Sequence, residues 1–294
     1  MHLSQFESIT EITKGMSGDK KYRVERDGKA FLLRISDSTK YEEKKKEFQR
    51  LAHLSRAGLP VPECVFFGKD EETGEVMTLL SWLEGEVTEE LLPRMSAAEQ
   101  YGYGCQAGRI LRQIHETTKV SEIGGGWYDR YFGVIDRRLE SYRREGKCFE
   151  GSDKILSYIE TQKELLKTRP MCGHHGDYHT GNLLIHESKV RVIDWHTIDF
   201  DNIGDPWYEF NRIATEHPAF ARGQIDGYFE NQVPEEFWKL FALYLAASAI
   251  TSIVWAQYYA PEELENIMAL NRRVMELFDG MENPMPKWYR EGGN

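Results

Sequence analysis

The chain has 294 residues and a mass of 34.2 kDa, with 40% hydrophobic and 29% charged residues, the balance of a globular protein of one or two domains. A net charge of −11 and a pI near 5.4 argue against the basic footprint of a nucleic-acid binder. Cys64, Cys105, Cys148 and Cys172 form no C-x-x-C pair, so neither a disulfide framework nor a thiolate zinc site is expected. The amino terminus has no basic stretch leading into an apolar core, and no apolar run approaches membrane-spanning length. Cytoplasmic placement, with no membrane and no nucleic-acid partner, is the expectation.

Residues 1–36 alternate short β-type runs with turns, and Tyr22-Arg23-Val24 and residues 30–35 flank the hairpin signal Asp27-Gly28. Between the first two strands, residues 14–20 supply small side chains that let backbone N–H groups approach a phosphate, with the Ser17 hydroxyl as a further donor. From the residues alone an ordinary turn reads equally well. A charged helix is predicted over 39–57, with Phe48, Leu51 and Leu54 on one face. It ends at Gly58, and Leu59-Pro60-Val61-Pro62 cannot continue it. Strands at 64–68 and 76–83 surround Glu72-Thr73-Gly74, and Glu84-Gly85-Glu86 reads as a hinge.

Beyond the hinge the pattern turns helical. Ser96-Ala97-Ala98-Glu99 is a capping box that opens a helix with Ala107, Ile110, Leu111 and Ile114 on one face. Further helices are expected near 136–144, 153–167, 206–215, 235–255 and 262–278, the third opened by Asp205 as N-cap and Pro206 at the first helical position. Strands, one helix, strands and then mostly helices define an α+β layout of two lobes, 1–84 and 85–294.

The densest signal is His175-Gly176-Asp177-Tyr178-His179-Thr180-Gly181-Asn182, answered by Val192-Ile193-Asp194-Trp195. Residues 183–185 and 190–193 read as strands around the polar turn 186–189, a hairpin that folds Asp194 back beside Asn182. One carboxylate to orient an attacking hydroxyl, then an amide oxygen and a second carboxylate to hold Mg²⁺, is the order phosphoryl transfer requires. Each residue alone suits a turn or a cap; that reading leaves their order unexplained. His174, His175 and His179 beside Asp177 also admit a transition-metal phosphohydrolase, although no further motif supplies converging ligands.

On these motifs the chain resembles, from about residue 10 to about 280, the aminoglycoside phosphotransferase family of small-molecule kinases. His175-Gly176-Asp177 and Asp194-Trp195-His196 stand where protein kinases usually carry His-Arg-Asp and Asp-Phe-Gly. The resemblance implies a bilobal protein-kinase-like fold with a small β-rich N-lobe and a larger, mostly helical C-lobe. It implies Mg²⁺-dependent transfer of the γ-phosphoryl group of ATP or GTP to a small-molecule hydroxyl. Asp177 would position the hydroxyl, while Asn182 and Asp194 hold the metal. Ser17 and Gly18 would cover the phosphates, and the Ser81 carbonyl and Leu83 N–H would meet the base. His175 and Asp205-Pro206 would steady the loop.

Arg34 stands where the fold normally has a lysine on the α- and β-phosphates, with Glu47 as its expected partner. That departure, and a loop that is not G-x-G-x-x-G, would suit a nucleotide-binding pseudokinase; Asp177, Asn182 and Asp194 argue against one. The resemblance and the acidic balance favour a cationic acceptor, an aminoglycoside first, with antibiotic resistance as the associated role. A macrolide, a choline-like amino alcohol or a metabolite are the alternatives. Asp199, Asp201, Glu209 and Glu216 are candidate carboxylates for the acceptor, and Trp207, Tyr208, Trp255, Tyr258 and Tyr259 candidate walls, although such aromatics equally suit a core.

Overall fold

The Asp27-Gly28 turn closes the first hairpin of an antiparallel sheet, with Asp27 at φ 54°. The computed structural model describes residues 3–13, 18–120, 126–145, 147–197 and 199–292. In chain order the elements are β1 (Ser8–Glu11), β2 (Lys20–Arg26), β3 (Lys29–Ser36), α1 (Tyr41–Arg56), β4 (Cys64–Lys69), β5 (Val76–Ser81), β6 (Glu86–Val87) and α2 (Thr88–Leu91). There follow α3 (Ala97–Thr117), α4 (Trp127–Glu145), α5 (Ser152–Gln162), β7 (Cys172–Gly173), β8 (Leu183–His186), β9 (Lys189–Val192) and β10 (Ile203–Gly204). Last come α6 (Pro218–Phe229), α7 (Glu235–Tyr259), α8 (Leu264–Leu277) and α9 (Lys287–Glu291). This is the expected α+β composition, with an antiparallel sheet in the amino-terminal part and a larger helical remainder.

The chain forms two compact units, Met1–Arg94 with His179–Ile198, and Met95–Tyr178 with Asp199–Asn294. The division differs from the expected one after residue 84. The reason is sheet pairing: β6 pairs with β8, and β8 with β9, so the Asn182–Asp194 hairpin belongs with the first unit.

In the first unit the strand order is β1-β2-β3-β5-β4, all antiparallel. Alternation along β3 sends Leu33 and Ile35 to one face, where they pack with Phe6, Val24, Met77 and Leu79. The opposite face receives Arg34 of β3 and its direct cross-strand neighbours, Lys21 of β2 and Thr78 of β5. Helix α1 begins at Tyr41, after a short 3₁₀ turn at Ser38–Lys40, and buries Leu51, Ala52 and Leu54.

In the second unit the expected capping box is present at both ends: the Ser96 hydroxyl accepts the Glu99 N–H at 3.3 Å, and the Ser96 N–H donates to Glu99 Oε2 at 2.8 Å. Ala107, Ile110, Leu111 and Ile114 are buried as predicted. Helix α6 has no counterpart among the predicted elements, because Gly223 and Gly227 lower its intrinsic propensity. Its packing requires them. A Cβ on Gly104 or Gly108 of α3 would lie 2.2 or 2.0 Å from the Phe220 or Gln224 carbonyl oxygen; one on Gly223 or Gly227 would lie 2.2 or 2.3 Å from that of Tyr101 or Cys105. The two helices therefore pack backbone to backbone. The predicted helix over 206–215 is instead a 3₁₀ segment, Pro206–Arg212, and α4 begins at Trp127, well before residue 136.

Helix α7 corrects one expectation. By length and composition Glu235–Tyr259 is apolar enough to cross a membrane, with mean hydropathy 1.6 in its richest window. Of that window 78% is buried, and Phe237, Leu240, Phe241, Tyr244 and Ile250 make it the core helix of the second unit.

Candidate active site

The metal-ligand candidates lie together in the first unit. Glu187 and Ser188, at φ 48° and 61°, make the tight turn of the β8–β9 hairpin. Pairing of Leu183 with Val192 brings Asn182 and Ile193 next to one another, and the Ile193 N–H donates to the Asn182 carbonyl at 3.0 Å. Asp194 follows in left-handed backbone, φ 61°, a conformation that costs a non-glycine residue about 1 kcal/mol and here re-aims the carboxylate as the chain leaves the strand.

Asp194 Oδ1 lies 3.7 Å from Lys21 Nζ and 3.5 Å from His196 Nδ1. Burial alone would raise its pKa, but the His196 hydrogen bond and the charges of Lys21, His196 and Arg34 hold it well below the usual carboxylate range. The Asp194 carboxylate and the Asn182 side-chain oxygen, borne on facing ends of this hairpin, are hard-oxygen donors of the kind that would suit Mg²⁺. Among the described residues no group of three or more His, Cys, Asp or Glu side chains converges as a metal site. A cation held by Asn182 and Asp194 would complete its shell with phosphate and water oxygens, which Mg²⁺ favours.

Arg34 differs from expectation in its partners. Nη2 bonds Asp19 Oδ2 at 2.7 Å and Nη1 bonds the Trp195 carbonyl at 3.0 Å. Glu47 pairs with Lys44, one turn earlier on α1, at 3.0 Å, and its other oxygen accepts the Thr197 N–H at 2.6 Å. Lys44 also reaches Asp19 Oδ2 at 3.2 Å. The expected Arg34–Glu47 pair is thus replaced by an Arg34–Asp19–Lys44–Glu47 chain. All four side chains are at most 7% exposed, and the chain ties α1 and β3 to the segment after Asp194.

Asp19 enters the sequence reading only as part of the phosphate loop. Its carboxylate, although desolvated, is held below its ordinary pKa by Arg34 and Lys44. Of the loop residues, Ser17 lies outside the described residues, and Gly18 sits at φ 67° with open space for 4 Å around the place a Cβ would take. At the hinge, the Ser81 N–H is taken by the Glu63 carbonyl at 2.8 Å and the Trp82 N–H by that of Ala30 at 3.2 Å, so Leu83 supplies the next donor along the chain.

Asp177 belongs to the second unit, where its loop is pinned from several sides. Gly176, at φ 93°, turns the chain. The His175 and Gly176 N–H groups donate to the two carboxylate oxygens of Glu209 at 3.0 and 2.7 Å. The Asp177 N–H donates to His175 Nδ1 at 3.2 Å, and the Asn202 amide to the His175 carbonyl at 2.8 Å. His115 Nε2 lies 2.8 Å from Glu209 Oε2. Burial would raise the Glu209 pKa, yet the His115 hydrogen bond and the neighbouring imidazoles bring it down to about 2. Arg212 Nε lies 3.7 Å from Asp177 Oδ1.

Asp205 does what its sequence promised. Its carboxylate accepts the Trp207 N–H at 3.0 Å, a fork from Arg169 at 2.9 and 3.0 Å and the Tyr244 hydroxyl at 2.6 Å; its carbonyl meets His174 Nε2 at 2.9 Å.

Three acceptor-site candidates are reassigned. Glu209 is buried under the Asp177 loop as its brace. Trp207 stacks on Arg169, whose guanidinium carbon is 3.6 Å from the ring centroid, and Tyr208 packs in a cluster with Trp127, Tyr131, Phe200 and Tyr244. Trp255, Tyr258 and Tyr259 are exposed at the end of α7. The imidazoles considered for a hydrolytic metal are engaged as braces: His174 and His175 as described, and His179 by accepting the Gly181 N–H at 3.1 Å. Sequence reasoning missed Glu209, Asn202 and Asp19 as organising residues. No local motif marks them, since their partners lie 15 to 34 positions away.

The protein-kinase-like fold and the family to which the sequence belongs make this chain a phosphotransferase. The chain belongs to the phosphotransferase enzyme family, whose profile matches residues 8–238. Among curated proteins it is 22% identical over 282 residues to human acyl-CoA dehydrogenase family member 11, covering 86% of this chain and 35% of that one. It is 20% identical over 238 residues to mouse acyl-CoA dehydrogenase family member 10, covering 73% and 21%. The chain therefore spans about a third or less of the length of these relatives.

Among solved structures it resembles the aminoglycoside phosphotransferase APH(4)-Ia in complex with AMP-PNP and hygromycin B, with TM-score 0.65, 17% identity and 93% and 95% of the two chains covered. It also resembles a choline/ethanolamine kinase family protein from Mesorhizobium loti, with TM-score 0.64, 15% identity and 99% and 95% covered.

Proposed function

We propose that the protein transfers the γ-phosphoryl group of Mg²⁺-bound ATP or GTP directly to a hydroxyl of a small molecule, with an aminoglycoside as the leading acceptor. The observation that carries this reading is the hairpin that joins Asn182 to Asp194 through the Ile193–Asn182 hydrogen bond, with Asp194 kept ionised. Such a pair would hold Mg²⁺, which supplies charge neutralisation on the nucleotide phosphates. Asp177 would orient the acceptor hydroxyl and take its proton as the bond to phosphorus forms. Glu209 and Asn202 keep the Asp177 backbone in place, so the carboxylate is positioned in advance. The nucleotide-bound and aminoglycoside-bound neighbours support donor and acceptor alike.

A second acceptor class is favoured by Arg212, half-exposed beside Asp177. A guanidinium there suits an acceptor with negative charge near its hydroxyl, such as a hydroxylated carboxylate or acyl compound. The test is nucleoside diphosphate release with Mg²⁺ and ATP or GTP across aminoglycosides, amino alcohols, macrolides and hydroxyacyl compounds. Stimulation by one class, abolished in Asp177→Asn, supports the reading. Nucleotide binding with no stimulation by any class would replace it with a pseudokinase.

A further inference from the structure

We propose that the cation serving the donor phosphates is Lys21 of β2, and that Arg34 is a strut. This rests on the kinase reading above and assigns one of its roles to a residue outside its motifs. Both terminal nitrogens of Arg34 are already bonded, one to Asp19 and one to the Trp195 carbonyl, in a side chain 7% exposed. Lys44 is shared among Asp19, Glu43 and Glu47 at 3.2, 3.6 and 3.0 Å. Moving either cation onto a phosphate would strip Asp19 or Glu47 of a buried counter-charge, a costly exchange.

Lys21 is placed differently. It lies directly across the ladder from Arg34, so both side chains rise from the same face of the sheet. Among the described residues its ion-pair partner is Asp194, at 3.7 Å, and its side chain is 11% exposed. That distance is longer than a hydrogen bond, so the ammonium retains donors for other oxygens. With Asp194 engaged in holding a divalent cation, Lys21 would be free to turn its ammonium toward the phosphate oxygens of the nucleotide. A lysine is the better residue there, being a compact charge on a flexible stem, whereas both terminal nitrogens of Arg34 are committed to Asp19 and the Trp195 carbonyl. The substitution that departs from the family pattern at residue 34 is thus compensated from the neighbouring strand.

The test is Mg²⁺-nucleotide binding to the full chain by calorimetry, alongside turnover on whichever acceptor is active. Lys21→Met should weaken ATP or GTP binding at least tenfold and leave binding of the bare nucleoside unchanged, with the melting temperature within a few degrees of the parent. Lys21→Arg should restore part of the loss. Arg34→Met should instead lower the melting temperature, and the surviving folded protein should bind nucleotide within a few-fold of the parent. Parent-like triphosphate binding by Lys21→Met, or a triphosphate-specific loss in folded Arg34→Met, would overturn the assignment. If the parent binds nucleotide but phosphorylates nothing, the kinase reading fails while the binding comparison still decides Lys21. If the parent binds no nucleotide, both fall together.

Discussion

The two units hold their functional residues by opposite means. In the first, Arg34 and Lys21 rise from one face of a five-stranded sheet, Arg34 joins Asp19, Lys44 and Glu47 in a run of buried ions, and the hairpin with the proposed metal ligands is attached to it through Trp195 and Thr197. In the second, Asp177 rests on neutral and charged hydrogen bonds from the backbone to Glu209, inside a shell of packed helices, glycine contacts and aromatic rings. Within the ion run of the first unit Arg34, Asp19, Lys44 and Glu47 hold one another in place, whereas Lys21, 3.7 Å from Asp194, is the cation set to change partners when a charged ligand arrives. The His175 and Gly176 N–H groups, both taken by the Glu209 carboxylate, fix the backbone that leads into Asp177 in one geometry. The difference matches the proposed roles: the first unit receives a polyanion and a metal, whereas the second holds a base still.

The largest expected effect tests the second unit. Asp177→Asn keeps the size of the side chain and removes its charge; turnover should fall about 10³-fold, roughly 4 kcal/mol in barrier, with nucleotide affinity unchanged. Loss of nucleotide binding in that variant would mean the two roles are not divided as described.

Next, Glu209→Gln leaves the buried His115 and two N–H donors facing a neutral amide, at a cost of about 3–5 kcal/mol, read from chemical denaturation. The pH dependence has a definite sign. The folded pKa of about 2 lies below the ordinary 4.5, so the stabilisation is complete above pH 4.5 and is lost as pH falls from there toward 2. About 3 kcal/mol is at stake. The parent should lose melting temperature steeply in that window, and Glu209→Gln should show a flatter profile.

In the first unit, Asp19→Asn removes the anion shared by Arg34 and Lys44 and should cost about 3 kcal/mol. Hydrogen exchange should register the loss first in β3 and α1. A variant as stable as the parent would show that the ion chain is dispensable.

The smallest effects form a matched pair on one helix. Gly108→Ala puts a Cβ 2.0 Å from the Gln224 carbonyl and should destabilise by about 1–3 kcal/mol or more. Gly102→Ala on the same helix meets nothing within 4 Å and should stabilise by about 0.5–1 kcal/mol. Equal shifts in thermal melting would contradict the backbone-to-backbone packing of α3 on α6.

Features with local causes were readable from sequence. Asp27-Gly28, the Ser96–Glu99 capping box and the 183–193 hairpin each depend on residues within a few positions, and all formed. The hairpin that brings Asp194 back beside Asn182 was readable because its turn and both strands lie within a dozen positions. Helix α6 was hidden because Gly223 and Gly227 weaken the helix signal; only the close approach of the Tyr101 and Cys105 backbone, more than 100 positions away, justifies them. The partner of Arg34 was misjudged for a similar reason: Glu47 fits the family pattern, but Asp19 reaches the guanidinium first and Lys44 satisfies Glu47 from one turn away. Glu209 looked like one more surface carboxylate among the chain's 48 acidic residues, and only its two backbone donors reveal its role.

The most direct test of hydroxyl-directed phosphotransfer is mass spectrometry of the acceptor panel after incubation with Mg²⁺ and ATP or GTP. A singly phosphorylated product within one acceptor class, formed by the parent chain and absent with Asp177→Asn, is the predicted result. Tight nucleotide binding with every acceptor recovered unmodified would contradict it.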